Sequence, residues 1–346
     1  MRDEEAPFAT VAIPTRNESG TIESCLRAIE HQDYPHDRFE VLLVDGDSDD
    51  DTIALVNRFA SGSTLEVRVF SNPRRSVPAA LNVALREARG DRFVRVDGHS
   101  QPGPTYLRRC IEANDAYDAD LAGGWVRAVG TTRFGRAVAV AFASPFSMGN
   151  PASWTAPTAP RDVASVPCGS YRTDALRAIG GFDEEQLANQ DYEANYRLRR
   201  AGGRAVLLPD VHFDYETRDR PGRLARQFFR YGWFKARTMV KHPSSTRPRH
   251  LVPAAGLVSA ALLLVASAFW WPALVLLGVA IVLYVLTLVV ASLLAPAERV
   301  ALPLVFATMH ASWAAGNFLG LARWLPAARR IRQAPRLAQG LPARSV

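Results

Sequence analysis

Only three of the 346 residues are cysteine: Cys25, Cys110 and Cys168. No two form a C-x-x-C pair, so the chain is neither a small disulfide scaffold nor a zinc ribbon. Cys25 and Cys110 fall on predicted helices, where a buried thiol acts as a small hydrophobe. G-x-G-x-x-G and G-x-x-x-x-G-K-[ST] are both missing, which removes a dinucleotide fingerprint and a P-loop. Met1–Thr10 lacks an apolar h-region and carries Asp3, Glu4 and Glu5, so it is not expected to be a signal peptide. Acids are scarce after residue 215: residues 216–346 hold three, against 17 Lys and Arg, whereas residues 1–215 hold 31 acids and 24 bases. Charge is absent altogether from Leu251–Ala297, a run of 47 residues. With 48% apolar and 22% charged residues, the chain as a whole is not intrinsically disordered.

An acidic half followed by a basic, apolar half does not describe a nucleic-acid protein with one basic face. It describes a soluble domain tied to a membrane. About 20 apolar residues span a bilayer core, so Leu251–Ala297 has room for two spans, with Trp270, Trp271 and Pro272 at the turn. Val300–Ala322 is a further uncharged run of 23 residues, diluted by Ser312, Gly316, Asn317 and Gly320. Glu216–His250 carries ten Arg and Lys against two acids, and the tail from Arg323 carries six arginines and no acid. Positive flanks stay cytoplasmic, which puts both the N-terminal domain and the tail inside and requires an even number of crossings. On this reading Val300–Ala322 is re-entrant or interfacial; the alternative is three spans with the arginine tail translocated. The expected division is therefore a cytoplasmic catalytic domain (1–215), a basic amphipathic interfacial segment (216–250), a transmembrane region (251–322) and a basic tail (323–346).

In the first half, Phe8–Pro14 reads as a strand broken by Thr15–Gly20, and Thr21–His31 as an amphipathic helix with Ile22, Cys25, Leu26 and Ile29 on one face. Strands are predicted at Phe39–Val44, Leu65–Phe70 and Arg92–Val96, and helices at Asp51–Phe59 and Pro78–Ala88. This alternation predicts an α/β fold with a mostly parallel sheet. Such sheets bind ligands beyond the carboxyl ends of their strands, where Thr15, Asp45 and Asp97 fall. Acidic residues there can serve a phosphate-bearing ligand when a divalent cation lies between them, because Mg²⁺ and Mn²⁺ take hard oxygen ligands and keep substrate phosphates in their shell.

Four segments carry a resemblance. Val11-Ala12-Ile13-Pro14-Thr15-Arg16-Asn17-Glu18 resembles the opening strand of family 2 glycosyltransferases, and Val44-Asp45-Gly46-Asp47-Ser48-Asp49-Asp50 their second strand and acidic loop. Val96-Asp97-Gly98-His99 stands where that family has its D-x-D metal motif. Gly180-Gly181-Phe182-Asp183 with Asn189-Gln190-Asp191-Tyr192-Glu193 resembles the segment bearing its catalytic base. The resemblance spans roughly residues 8–235 and implies a GT-A nucleotide-diphospho-sugar transferase fold. The D-x-H variant and the C-terminal spans are most similar to the membrane-anchored branch resembling the succinoglycan glucosyltransferases of bacterial exopolysaccharide assembly.

The resemblance implies roles. Pro14, Thr15, Glu18, Asp45, Arg75 and Asp97 would bind the donor, with Asp45 on the uracil base, Glu18 near the ribose and Arg75 at the diphosphate. Asp97 and His99 would hold the divalent metal, Mn²⁺ or Mg²⁺; imidazole suits Mn²⁺ better. Asp191 would be the base of an inverting transfer. Gln227-Phe228-Phe229-Arg230-Tyr231 resembles the Q-x-x-R-W motif, placing Gln227 and Arg230 near the acceptor or the diphosphate. Each residue has a plainer alternative: a turn or N-cap acid for Asp45, a solvated arginine for Arg75, a surface turn for His99 and a first-turn helix acid for Asp191. The basic, aromatic stretch Arg218–Lys241 is expected to meet anionic headgroups as an interfacial helix.

The function expected is transfer of a sugar from a nucleoside diphosphate donor, a UDP-hexose such as UDP-glucose, to a lipid-linked glycan acceptor. The site is the inner, plasma membrane, and the product belongs to exopolysaccharide or cell-envelope glycan synthesis. The partners are donor, acceptor and membrane lipids, without nucleic acid. The alternatives are a non-catalytic, membrane-tethered GT-A scaffold of an export complex and a processive polysaccharide synthase.

Overall fold

A computed structural model describes residues 6–148 and 152–333; the expected tail beyond residue 333 and the acids Asp3, Glu4 and Glu5 lie outside the described residues. The chain divides into two units. The first comprises residues 6–127 and 155–214, the second residues 128–148, 152–154 and 215–333.

The first unit is built on an eight-stranded sheet of order β3-β2-β1-β4-β7-β5-β8-β6. Its parallel half consists of β1 (Ala9–Thr15), β2 (Phe39–Asp45), β3 (Glu66–Ser71) and β4 (Arg92–Arg95), each close to the span read from the sequence. These four pair in parallel, and Thr15 is opposite Asp45 at the shared carboxyl edge. β7 (Ser170–Arg172) joins antiparallel to β4 and to β5 (Leu121–Val129), and β6 (Arg161–Asp162) antiparallel to β8 (Ala205–Glu216).

Alternation along β1 sends Val11 and Ile13 into a core shared with α1 (Ile22–Glu30), α2 (Thr52–Gly62) and α4 (Tyr106–Ala116). The α1 stripe Ile22, Cys25, Leu26 and Ile29 is fully buried there. α3 (Val77–Glu87) packs on β1 and β2. All three cysteines are buried and free. Glu40, fully buried on β2, is held by Thr10 Oγ1 at 2.8 Å and by Arg68 and Arg89. Burial alone would raise its pKa, but these hydrogen bonds outweigh it and hold the carboxylate below its ordinary range.

The second unit contains α5 (Arg133–Phe142), α6 (Pro145–Met148), α9 (Pro221–Lys241), α10 (Val252–Ala266), α11 (Pro272–Leu293), α12 (Leu302–Trp324) and α13 (Ala328–Gln333). Ala137, Val138, Ala141 and Phe142 of α5 share a core with Leu224 and Phe228 of α9 and with Leu302, Val305, Phe306 and Met309 of α12. α9 and α12 approach at backbone distance. A Cβ at Gly316 would lie 2.0 Å from the Phe229 carbonyl oxygen, and one at Gly232 2.2 Å from that of Trp313. Gly316 and Gly320 form a G-x-x-x-G ridge, the pattern that lets two helix backbones meet.

Among the described residues one helix, α11, is long and apolar enough to cross a membrane, with mean hydropathy 3.0. α10 has 15 residues, and at 1.5 Å per residue it reaches about 22 Å, short of a bilayer core of about 30 Å. α12 has the length, but one face is spent on α9. The basic helix expected at Arg218–Lys241 is α9, starting at Pro221. Its cations do not all face outward: Lys235 and Arg237 are buried, Arg237 with its guanidinium 5.8 Å from the Trp324 ring centre.

Candidate active site

The carboxyl edge of the parallel half gathers three loops. The first two follow β1 and β2 and are stitched together. Gly46 N–H donates to Thr15 O (2.7 Å), Asn17 N–H to Ser48 Oγ (2.9 Å), and Asp49 N–H to Asn17 Oδ1 (3.0 Å). Glu18 N–H donates to Thr52 Oγ1 (2.8 Å), and Ser19 N–H to Asp50 Oδ2 (3.1 Å). Asn17 and Asp47 take positive φ, 54° and 62°, which short polar side chains tolerate. Asp45, half-buried at the end of β2, accepts from Ser48 N–H (3.0 Å) and Ser48 Oγ (2.5 Å). Pro14 is buried within β1, and Thr15 is 5% exposed at its tip. Arg75 comes to this edge too, paired with Asp47 of the acidic loop.

The third loop follows β4. Gly98 sits where a Cβ would be 3.2 Å from Thr15 Oγ1 and 3.5 Å from Glu18 Cγ, so the Asp97-Gly98-His99 turn closes directly on the first loop. His99 Nδ1 is 3.0 Å from Glu18 Oε1, and Thr21 Oγ1 donates to Glu18 Oε2 at 2.9 Å. The Glu18 carboxylate raises the His99 pKa against the opposing effect of burial. The structure thus gives Glu18 two local partners, while its expected place is near a ribose.

Arg95 escaped the sequence reading. It is 7% exposed, and its guanidinium forks onto Asp97 through Nε–Oδ1 at 2.8 Å and Nη2–Oδ2 at 3.1 Å. Burial would raise the Asp97 pKa, but the Arg95 charge holds it below the usual range. The available signal was an arginine two residues before an aspartate at the carboxyl end of a strand, a spacing that puts both on one side.

α7 (Thr173–Ala178) is followed by α8 (Gln190–Arg200), and Asp191 lies in the first turn of α8, after Asn189 in the left-handed region, φ 56°. Burial pushes the Asp191 carboxyl above its ordinary value; Arg95 and the backbone N–H groups of Tyr192 and Asp191 pull it part of the way back, and Asp97 adds to the rise. Asp191 therefore shares the electrostatic neighbourhood of Arg95 and Asp97. Two further locks set α8. Glu193, fully buried, receives Arg197 at 2.7–3.0 Å, and Arg197 also donates to Gly181 O at 2.7 Å. Tyr171 OH donates to Asn195 Oδ1 at 2.8 Å, and Asn195 Nδ2 to Val166 O at 2.8 Å. Gly180 and Gly181 take φ 80° and 68°, and Asn82 of α3 clamps both the N–H and the C=O of Phe182 at 2.8 Å. These residues position the loop that leads to Asp191.

Gln227 and Arg230 belong to α9 in the second unit. Gln227 Nε2 donates to Tyr215 OH (2.5 Å) and Tyr231 OH (2.8 Å), while its Oε1 is buried without a hydrogen-bond partner.

The residues present suit a divalent metal as a partial shell. Asp97 keeps acceptor capacity beyond the two Arg95 hydrogen bonds. Glu18 occupies His99 Nδ1, so that Nε2 is the ring atom that could take a metal, as in a carboxylate–histidine–metal triad. No group of three or more His, Cys, Asp or Glu among the described residues is arranged to hold a metal by itself.

A parallel α/β half whose carboxyl edge gathers Asp45, Asp97, His99 and Asp191 has the layout of a nucleotide-sugar transferase. The comparisons agree: a family model described as glycosyl transferase family 2 matches residues 10–180. The chain is 31% identical over 248 residues to the succinoglycan biosynthesis protein ExoA of Rhizobium meliloti, covering 71% of this chain and 74% of that one. It is 27% identical over 232 residues to a dolichyl N-acetyl-alpha-D-glucosaminyl phosphate 3-beta-D-2,3-diacetamido-2,3-dideoxy-beta-D-glucuronosyltransferase of Methanococcus voltae, covering 65% and 72%. Among solved structures, the mannosyltransferase PcManGT of Pyrobaculum calidifontis, in complex with GDP-Man and Mn²⁺, superposes with TM-score 0.60 at 24% identity, over 92% of this chain and 88% of that one. That likeness establishes the GT-A-like α/β fold. The chain belongs to glycosyl transferase family 2, and it is a glycosyltransferase.

Proposed function

We propose that the protein transfers a hexose, with inversion, from a nucleoside diphosphate donor such as UDP-glucose to a lipid-linked acceptor in exopolysaccharide or envelope glycan synthesis. The observation that carries this reading is the convergence of Asp45, the Asp97-Gly98-His99 turn and Asp191 around one sheet edge. The names of the relatives support its finer part: one is a succinoglycan biosynthesis protein, and another names a dolichyl phosphate-linked sugar.

Asp45 presents its carboxylate to the donor base, with Ser48 fixing its orientation. Thr15, with Pro14 behind it, forms the floor beside it. Arg75 would meet the diphosphate by giving up Asp47, an exposed pairing that contributes little stability. Asp97 and His99 would hold Mn²⁺ or Mg²⁺, whose charge stabilises the departing diphosphate. Asp191 takes the proton of the acceptor hydroxyl as its oxygen attacks the anomeric carbon. A carboxylate made more basic by burial suits that role. Gln227, whose Oε1 can accept a hydroxyl, and Arg230 serve the acceptor or the diphosphate.

Chelation tests the ligand pair. EDTA should abolish transfer from a panel of nucleotide sugars to extracted lipid acceptor, and Mn²⁺ should restore it better than Mg²⁺. Full turnover after exhaustive chelation would remove Asp97 and His99 from the metal.

We also propose a multi-pass inner-membrane placement with the catalytic domain cytoplasmic. The uncharged run that holds α10, lengthened by residues 251 and 267–271 on either side of the helix, would form a hairpin with α11, and α12 would lie with α9 at the interface. The division into a catalytic domain (1–215), an interfacial segment (216–250), a membrane region (251–322) and a tail (323–346) is part of this proposal. A phosphatase reporter fused after Val346 should be inactive and a cytoplasmic reporter active. The reverse result would establish three crossings.

A further inference from the structure

The antiparallel half of the sheet carries an aromatic pair that the proposed reaction leaves unused. Trp125 on β5 and His212 on β8 stack with ring centres 5.2 Å apart and planes 30° from parallel. The indole N–H is already spent on Pro209 O at 3.2 Å, so the tryptophan has its ring left to offer, and both residues are partly exposed. Two residues further along each strand, Arg127 and Asp214 meet through Nε–Oδ1 and Nη2–Oδ2, both at 2.7 Å, with about half of each side chain exposed.

Register places this pair beside the reacting groups, all of them in the first unit. β4 and β5 both run antiparallel to β7, with Val94 opposite Ser170 and Ser170 opposite Ala122. Asp97 lies three residues beyond Val94, and Trp125 three beyond Ala122, so the two stand at one height on the carboxyl edge. Val96, Ala122 and Val211 belong to the core under α1, α2 and α4. Alternation therefore sends Asp97, Trp125 and His212 to the opposite face. α8, which bears Asp191, lies on that face too, tied through Asn195 to Tyr171, the neighbour of Ser170. Backbone packing fixes the arrangement: a Cβ at Gly123 would be 2.3 Å from Cys168 O, and one at Gly169 2.4 Å from Ala122 O. With β7 between them, β4 and β5 are roughly 10 Å apart, a gap that one ligand can bridge.

A pyranose has a face of C–H groups and a rim of hydroxyls. The C–H face suits a π-cloud, whose quadrupole is negative over the ring. The hydroxyls donate to a carboxylate and accept from a guanidinium, as Asp214 and Arg127 require. A bare phosphate gains little here. Arg127 is neutralised by Asp214, and His212 adds charge only when protonated and then shares Asp214. Arg95 is held by Asp97, and Asp191 has the sign of the phosphate itself. Resting on the reading of Asp191 as base for an acceptor hydroxyl, we propose that Trp125 and His212, rimmed by Arg127 and Asp214, form the subsite for the acceptor's terminal sugar. The enzyme extends a lipid that already bears a glycosyl residue and passes over the bare lipid phosphate, so an earlier sugar transfer must supply its substrate. The sugar's hydroxyl oxygen bonds to the anomeric carbon of the donor as the bond from that carbon to the diphosphate oxygen breaks. The electron pair leaves with the diphosphate, and the hydroxyl proton goes to Asp191.

The test uses the full chain in a detergent without a sugar headgroup, with Mn²⁺ and a panel of nucleotide sugars. Two classes of acceptor are compared: polyprenyl phosphate, and polyprenyl diphosphate bearing one glucose, galactose or N-acetylglucosamine. The wild type should show a kcat/KM at least about a hundredfold higher for a sugar-bearing lipid, as expected of a site built to hydrogen-bond hydroxyls. Trp125→Leu keeps apolar bulk without a ring face. It should raise KM for that lipid at least about tenfold, the scale of a lost aromatic contact, while UDP affinity, which also reports folding, stays at the wild-type value. Trp125→Phe keeps a ring and should fall between the two. A wild-type acceptor KM in Trp125→Leu would overturn the subsite. So would equal or better use of polyprenyl phosphate by the wild type, a comparison that needs no variant to fold. Transfer to neither class of lipid from any donor would instead overturn the function proposed above, and the subsite with it.

Discussion

Asp191→Asn should lower the rate of sugar transfer by about 10²–10⁴, the usual worth of a positioned general base. Nucleotide-sugar affinity should change little, because Asp45, Asp97 and His99 are untouched. Asp45→Asn should show the reverse pattern, weaker donor binding with the chemistry of bound substrate less affected. Misfolding would damage both properties in both variants, so the pair separates function from stability. The wild type adds a pH signature. Burial raises the Asp191 pKa, so the carboxylate loses its proton only at a pH above the ordinary aspartate value of about 3.9. The acid limb of kcat should therefore lie above that value and disappear from the residual rate of Asp191→Asn. A variant that transfers sugar at near wild-type rate would place the base elsewhere. Glu193 is a poor substitute, since Arg197 holds it fully buried. Asp183 would then be next, although one of its oxygens already caps Glu185 N–H at 3.0 Å.

The second large effect is expected at Gly316. In Gly316→Leu the new Cβ would have to occupy space 2.0 Å from the Phe229 carbonyl oxygen. A backbone atom cannot rotate away as a side-chain tip can, so α9 and α12 must separate. Overpacking of cores costs about 1–3 kcal/mol, and a backbone clash belongs at or above the top of that range. The variant should lose most of its monodisperse fraction in detergent and unfold well below the wild type. Gly278→Leu and Gly256→Leu are the controls, because nothing lies within 4 Å of a Cβ at either position. Equal thermostability of Gly316→Leu and the controls would mean that α9 and α12 are not packed at backbone distance.

Much of the nucleotide-binding half was legible from residue order. β1, β2, β3 and α1 to α3 fall within a few residues of their expected bounds, because each is an apolar run of one period closed by polar breakers. Asp45 and Asp97 were legible for the same reason: they are the first acids after those runs. The rest depended on partners distant in the chain. The Asn82 clamp on Phe182 spans 100 residues, and the pairing of Glu18 with His99 spans 81. Neither leaves a local pattern. The Arg95 fork is local, but an arginine at a strand end is easily read as a surface charge until the burial of the whole edge is known. The α9–α12 contact was hidden for another reason. Gly316, Asn317 and Gly320 look like dilution of a membrane span, and they are the residues that allow one helix to lie against another.

The core of the second unit bears on any attempt to divide the enzyme at the apparent border between its water-loving and oily stretches. Val138 and Phe142 come early in the chain, yet Leu302, Val305 and Phe306 cover them. A polypeptide ended near residue 215 would keep α5 and lose its lid, leaving a sticky face on a fragment intended to be soluble. Swapping parts between relatives meets the same obstacle. α5, α9 and α12 must travel together, although some 160 residues separate the first from the last. For recombination the natural unit of exchange is this three-helix set, and no single cut in the gene delivers it.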